Sequence, residues 1–561
     1  MLLPLLTVGL SLAQAPSAPP PSRPAADPVD WDAAGEEAAR LLSQYLQVDT
    51  INPTGNETRG AVFLAAWLAR EGISAEIFEF APGRGSLVAR VEADPDRESG
   101  PPLCLLSHID VAEAEADRWP AETGPLSGAI DADGWVWGRG ALDMKGLTAM
   151  HAMSMALVAR GGIALRRDLV LIAVSDEEVS NLGMAQVAER WGGLGCGHVL
   201  NEGGIGIRDL FFDGQDVVTV SVGEKGALWG RVVATGAPGH GSVPLPDQSI
   251  DRLLDAIDAI EGRPVTPAYH ASLLELLAAV GAHEGGLAGA ILQRPALVKT
   301  LLRGTFLENP ITRAVVTDTA NITGLGGAMQ PNVVPGEAWA NLDARLLPGT
   351  DPDAFRASLT AAIDDPHVRI DTDSFIASNV SEWRGDPVYQ ALISRSVEGY
   401  PERVTGPVLS VGYTDSAVAR ALGARAYGFM PIVATAEQVA TMHGDNERVS
   451  VTQLTRGVQI MTRVVLDVAG ATSGSAPARP SVAWPPMRWP APDWMRHTAA
   501  QPVVPLPPRF AGLTEPPLAA PTSPGPPGPA APLLAPSPSP WGAEAPAAPE
   551  PPPPPPPVWG G

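Results

Sequence analysis

The chain has little cysteine: only Cys104 and Cys196, neither in a CxxC pair. That excludes a cysteine metal knuckle, and the spacing indicates no disulfide framework. Cys104 lies inside an apolar run and reads as a core residue. Positive charge is also scarce, with 38 Lys and Arg against 62 Asp and Glu and a formal net charge of -24. No Lys/Arg-rich run occurs, which argues against nucleic acid or an anionic membrane as a partner. Long apolar runs are missing too. The N-terminal "MLLPLLTVGLSLAQAPSAPPP" has one too short to span a bilayer.

What the chain has in excess is proline, 60 residues of 561, gathered at the two ends. Residues 1–15 suit a secretory signal ending at Ala13 or Ala15, although no Lys or Arg precedes the apolar run and a mis-assigned start codon is the alternative. The expected location is secreted or periplasmic, or cytoplasmic if that signal is not real. Residues 16–30 read as a Pro-rich tether. Residues 471–561, ending "EAPAAPEPPPPPPPVWGG", lack helical or strand periodicity and read as disordered or polyproline-like. No function is assigned to that tail, which is either a ligand for a partner domain or a translated frameshift. Asn56, Asn321 and Asn379 fit N-x-[ST] and matter only in a eukaryotic secretory route.

Between the ends, short apolar strands such as "LCLLSH", "DLVLIAVS" and "ARAYGFMP" alternate with helical stretches such as "LTAMHAMSMALVARGG". Buried strands alternating with helices imply a mainly parallel α/β sheet. From about residue 217 to 373 the style changes to paired strands and helices, the pattern of an inserted α+β domain, with a helical elaboration over residues 264–312. The expected division is therefore 31–216 with 374–470 as one domain and 217–373 as a second.

In an open parallel sheet, ligands bind at the carboxyl ends of the strands. "LCLLS" is followed by His108 and Asp110, "WVWGRGAL" by Asp143, "VLIAVS" by Asp176, Glu177 and Glu178, and "HVL" by Asn201 and Glu202. Carboxylates gathered at one rim repel unless a cation sits among them. Imidazole with carboxylate and no thiolate suits zinc, with cobalt or manganese as alternatives. His108 and Asp110 share a face of an extended segment. The Asp110 carboxylate is expected to accept from the ring nitrogen that His108 does not offer to a metal. Glu177 and Glu178 adjoin, so one can ligate while the other takes a proton from the attacking water.

In order along the chain, "SHID", "GRGALDMKG", "SDEE", "NEGG" and "MHGDNERV" resemble the motif set of the dinuclear-zinc amidohydrolase family that includes aminoacylase-1, glutamate carboxypeptidase and succinyl-diaminopimelate desuccinylase. The likeness covers roughly residues 35–470 and looks closer to the Gly-X carboxypeptidase and N-acyl amino acid hydrolase branch. It implies two Zn²⁺ ions, with Asp143 bridging them ahead of a cis peptide to Met144. His108 and Glu202 complete one site, Glu178 and His443 the other, with Glu177 as general base and then acid. Asp176 is left to support the turn. The inserted domain becomes a ferredoxin-like lid and, in dimeric relatives, the dimer interface. His240 in "GAPGHGSVP" falls where relatives bring an imidazole to the oxyanion, and Asn332 and Arg345 match positions that hold substrate. Tyr413 in "SVGYTDSAV" replaces a glycine of the family's Gly-Gly-Thr-Asp loop, and the usual proline after "HID" is missing.

For other residues a structural role is the better reading. His151 beside Met150 and Met153 reads as a packed histidine, and His198, His270, His283, His367 and His497 match no motif. Arg345 has an ion pair as its alternative. The function implied is hydrolysis of an amide next to a free carboxylate, releasing an amino acid from an N-acyl amino acid or a short peptide. The competing class is a catalytically silent binding protein that displays the Pro-rich tail.

Overall fold

The computed structural model describes residues 29–328 and 330–470. The expected signal, most of the tether and the Pro-rich tail, with His497, lie outside them. The core is an eight-stranded sheet whose strands lie in the order Ala75–Ala81, Arg84–Val91, Leu169–Val174, Leu103–His108, His198–Arg208, Arg425–Ala434, Asp216–Glu224 and Arg403–Ser410. The central pairings from Leu169–Val174 to Arg425–Ala434 are parallel.

The continuous apolar runs are explained by the alternation of side chains across a pleated strand. Leu103, Leu105, Leu169 and Leu171 enter one core with the helices Trp31–Leu46, Lys145–Arg160 and Val451–Ala469. Their neighbours Cys104, Leu106, Val170 and Ile172 enter a second core with helix Leu182–Leu194 on the opposite face. Both faces are covered, so no position along these strands can be polar until the strand ends. Each such side chain contributes roughly 1.5–3 kcal/mol by leaving water.

The same pairing corrects the reading of the cysteines. Strand Leu103–His108 pairs with His198–Arg208 so that Cys104 faces Val199, which brings Cys196 close from the connection just before. The two form a disulfide with a Cα–Cα separation of 5.7 Å across 92 residues of sequence. Such a separation leaves no local signal. Only the strand order makes the pair neighbours.

A second, four-stranded sheet has the order Thr319–Gly326, Glu337–Leu346, Gly226–Thr235, Val368–Ile376, all antiparallel. With helices Ser249–Gly262 and Pro352–Ile363 on one face, it is a βαββαβ, ferredoxin-like unit. Asp216–Glu224 is buried throughout and runs parallel to Arg403–Ser410. The change of sheet therefore falls between Glu224 and Gly226 rather than at Val217. The helical segment expected to elaborate the insertion covers the large sheet instead. Its Leu273, Leu276 and Leu277 cluster with Val217 and Val404.

Candidate active site

His108 ends its strand and is 1% exposed. Its Nδ1 bonds the main-chain carbonyl of Asp110 at 2.8 Å, while the Asp110 carboxylate lies 3.7 Å away. The brace on the imidazole is thus the backbone of Asp110, not its side chain. That side chain is occupied elsewhere: it accepts the N–H groups of Glu177 and Glu178, both at 3.1 Å, and Asn52 Nδ2 at 2.7 Å. Asp110 therefore fixes the turn that carries the adjacent glutamates. Asp176, with φ 69°, closes the same turn by accepting from Ser180 Oγ and from Leu182 N–H, and it pairs with Arg84.

The freed Nε2 of His108 points at carboxylates, 3.2 Å from Asp143 Oδ1 and 3.7 Å from Glu202 Oε1. The other Asp143 oxygen, Oδ2, lies 3.1 Å from His443 Nε2, which is also 3.1 Å from Glu178 Oε1. One carboxylate thus faces two imidazoles, one oxygen to each, with Glu202 beside the first and Glu178 beside the second. Donor atoms of His108, Glu177 and Glu202, and of His108, Asp143 and Glu178, lie within 4.8 Å of one another. The Asp143–Met144 peptide is cis.

Charge at this centre is strongly unbalanced. Burial, then the neighbouring Glu202 charge, pushes the Glu177 carboxyl well above its usual range. Burial and Asp143 do the same to Glu202. Burial also works to raise Asp143, but hydrogen bonds from His108 and His443 overcome it and hold that carboxyl far below normal. Against burial, the surrounding carboxylates raise His108 well above an ordinary imidazole. His443 is pushed up to about 10 by its bonds to Asp143 and Glu178. At ~4 Å and an effective dielectric near 20, each like-charged pair costs about 4 kcal/mol. The imidazoles are the counter-charges at hand, and a metal requires them neutral. The donor set therefore fits divalent cations, which replace those protons and bring more positive charge.

A sequence pattern of Peptidase family M20/M25/M40 matches residues 104–467. The chain belongs to that family. It is a metal-dependent hydrolase. Among curated relatives, the human N-fatty-acyl-amino acid synthase/hydrolase PM20D1 is 28% identical over 360 residues, 62% of this chain and 70% of that protein. Aminoacylase-1A of Rattus norvegicus is 27% identical over 450 residues, 78% of this chain and 96% of that protein. Among solved structures, the M20 family metallo-carboxypeptidase Sso-CP2 from Sulfolobus solfataricus superposes with TM-score 0.56 at 19% identity, covering 76% of this chain and 98% of its own. Human carnosine dipeptidase 1 gives TM-score 0.57 at 15% identity, covering 78% and 97%.

The remaining residues expected in this M20 site lie on the ferredoxin-like unit. His240 is exposed on a two-stranded ribbon in which Gly239–His240 pairs with Val333–Val334, and its Nδ1 accepts from Ser242 Oγ at 2.8 Å. Asn332 is exposed beside it, its carbonyl accepting from Gly241 N–H at 2.7 Å. Arg345 presents Nε and Nη2 to Asp343 at 2.7 and 3.0 Å and lies over the Trp229 ring. Among the described residues no hydrogen bond or ion pair joins these three to the cluster of His108, Asp143, Glu178, Glu202 and His443.

Two supporting groups went unrecognised in the sequence. Glu447, fully buried, accepts the N–H groups of Gly140, Leu142 and Asp143 and pairs with Arg139 at 2.8 Å. Arg139 in turn donates to the Gly444 carbonyl at 2.7 Å. This pair ties the loop bearing Asp143 to the loop bearing His443. The only hint was its place four residues after His443 in "MHGDNERV". Asp415 is also buried and raised to about 7, by burial first, against the pull of His108.

Proposed function

We propose that the chain is a dinuclear zinc amidohydrolase that releases an amino acid from an N-acyl amino acid. The observation that carries the reading is the Asp143 carboxylate, split between His108 and His443 with Glu177 beside His108 and Glu202. His108, Asp143 and Glu202 would hold one ion, and Asp143, Glu178 and His443 the other, with cobalt or manganese as possible substitutes. When bound, the ions supply Lewis acidity toward the carbonyl and lower the pKa of the attacking water.

Glu177 is the proton carrier. Its carboxylate takes the proton from the attacking water and returns it to the leaving nitrogen. Asp110 holds the Glu177 and Glu178 N–H groups, so base and ligand keep a fixed spacing. Residues 226–262 and 319–376 act as a lid and as the surface for a homodimer. His240 donates to the oxyanion, worth on the order of 3 kcal/mol. Asn332 and Arg345 hold the substrate, with Arg345 Nη1 left to meet its carboxylate. The Cys104–Cys196 disulfide supports a secreted or periplasmic location, because such bonds persist in oxidising compartments.

The test is amino acid release from a long-chain N-acyl-leucine and from the dipeptide Gly-Leu, each with and without chelator. Chelator-sensitive turnover that favours the acyl substrate supports the proposal. Faster Gly-Leu cleavage moves the assignment to a dipeptidase or carboxypeptidase. No turnover of either by metal-loaded protein would favour a silent binding protein.

A further inference from the structure

The chain crosses between the large sheet and the ferredoxin-like unit four times: two crossings flank the helices 271–316 that pack on the large sheet, and the other two run side by side. The outgoing one passes from Glu224 to Gly226, and the returning one follows Ile376. Gly223 bridges Val380, Ser381 N–H donates to the Val222 carbonyl at 2.8 Å, and Ser378 Oγ donates to the Glu224 carbonyl at 2.5 Å. Rotation of one unit against the other would bend this pair of segments together with the two that flank the helices 271–316.

Glu224 sits at their centre and is 2% exposed. Carboxylates are almost never buried this deeply unless paired. Its side chain has two partners with different addresses. One oxygen forms an ion pair with Arg420, which also donates to Ser381 Oγ at 3.1 Å on the returning segment. The other accepts from Thr414 Oγ1 at 2.7 Å. Thr414 belongs to the loop expected beside substrate and is next to Asp415. Its hydroxyl accepts from Ser416 N–H at 3.2 Å, and Ser416 Oγ accepts from Asn201 Nδ2 at 3.1 Å. Asn201 immediately precedes Glu202. Continuous hydrogen bonds therefore run from both connections, through one carboxylate, to the loop and to the strand that bears a metal ligand.

We infer that Glu224 is a positioning residue that couples the two connections to the loop 411–416. The inference rests on reading residues 226–262 and 319–376 as a lid that closes over substrate. Arg420 meets one oxygen of the buried carboxylate, and the other could have been satisfied within the connections themselves. The bond to Thr414 instead makes the loop follow the outgoing connection as the lid turns. The coupling is reciprocal, so loosening either end loosens the other.

Hydrogen exchange of the full chain tests this without any turnover. Ser378→Ala touches only the connections, and Thr414→Val touches only the loop end while leaving the Arg420 pair. Ser378→Ala is expected to speed exchange across 411–416, and Thr414→Val across 222–226 and 377–381. The expected change is roughly two- to thirtyfold, the span of couplings carried by packed networks, with helix Trp31–Leu46 unchanged. Acceleration confined to the mutated segment overturns the inference. A double-mutant cycle gives the second readout. If both residues act through Glu224, the combined loss falls in kcat rather than KM and is smaller than the product of the single losses. Losses that simply multiply contradict it. If no amide substrate is turned over, the hydrolase reading fails while the exchange result still decides the coupling.

Discussion

Glu177 and Glu178 are neighbours in sequence, and the different work proposed for them follows from what each faces. Glu178 meets His443 at 3.1 Å, whereas Glu177 is half-buried among Glu202, Asp415 and Glu178, with the His108 imidazole pulling the other way. Glu177→Gln should lower kcat by about 10²–10⁴-fold, the usual share of a general base, while metal content stays at the wild-type level. Loss of metal with loss of rate would make Glu177 a ligand instead. Glu447→Gln removes the charge that Arg139 meets inside the protein and should destabilise by roughly 3–5 kcal/mol, read from denaturant unfolding. His151 gives a prediction in pH. Burial alone depresses it from 6.5 to about 3. The unfolded chain therefore takes up a proton that the folded one refuses. The stability this site contributes is complete above pH 6.5 and falls by about 1.4 kcal/mol per pH unit below it, down to about pH 3. His151→Met should flatten the acid limb of the stability profile, and an unchanged limb would assign it to other groups. At this scale the gathering of His108, Asp143, Glu178 and Glu202 was legible because strand ends announce themselves by the first polar residue after an apolar run. Glu447 and the main-chain role of Asp110 were not, since both depend on where backbone N–H and C=O groups point.

The elements follow from alternation. Leu103–His108 and Leu169–Val174 are apolar without a break because each is sandwiched between two layers of helices, and their first polar residues emerge at the site. The disulfide belongs to the same scale, since it locks strand Leu103–His108, which ends in His108, to the connection leading into His198–Arg208. Its loop of 92 residues places the chain-entropy contribution at roughly 4–5 kcal/mol. Residual structure in the unfolded chain reduces that figure, so Cys104→Ala with Cys196→Ala should lower unfolding stability by about 2–5 kcal/mol, and dithiothreitol should do the same to the native protein. Equal stability with and without reductant would mean the bond adds nothing. No sequence pattern pointed to this pair, because strands adjacent in the sheet are far apart in the chain.

At the scale of the molecule, the sequence pattern was sufficient for the two-sheet plan and insufficient for its seam. Val217 looks like the start of paired strands, yet Asp216–Glu224 is claimed by the large sheet through Arg403–Ser410, nearly 190 residues further on in the numbering. The helices around Leu276 likewise choose the large sheet because Val217 and Val404 offer them an apolar face. Such choices are made by tertiary partners that periodicity cannot name. The central claim is that one carboxylate, Asp143, organises two metal sites, each completed by its own histidine and glutamate. Metal analysis of the purified wild type beside Asp143→Ala, Glu202→Ala and Glu178→Ala tests it most directly. The account predicts two equivalents of zinc in the wild type, one in each glutamate variant, and loss of both in Asp143→Ala. A single equivalent in the wild type, or Asp143→Ala retaining both, would contradict it.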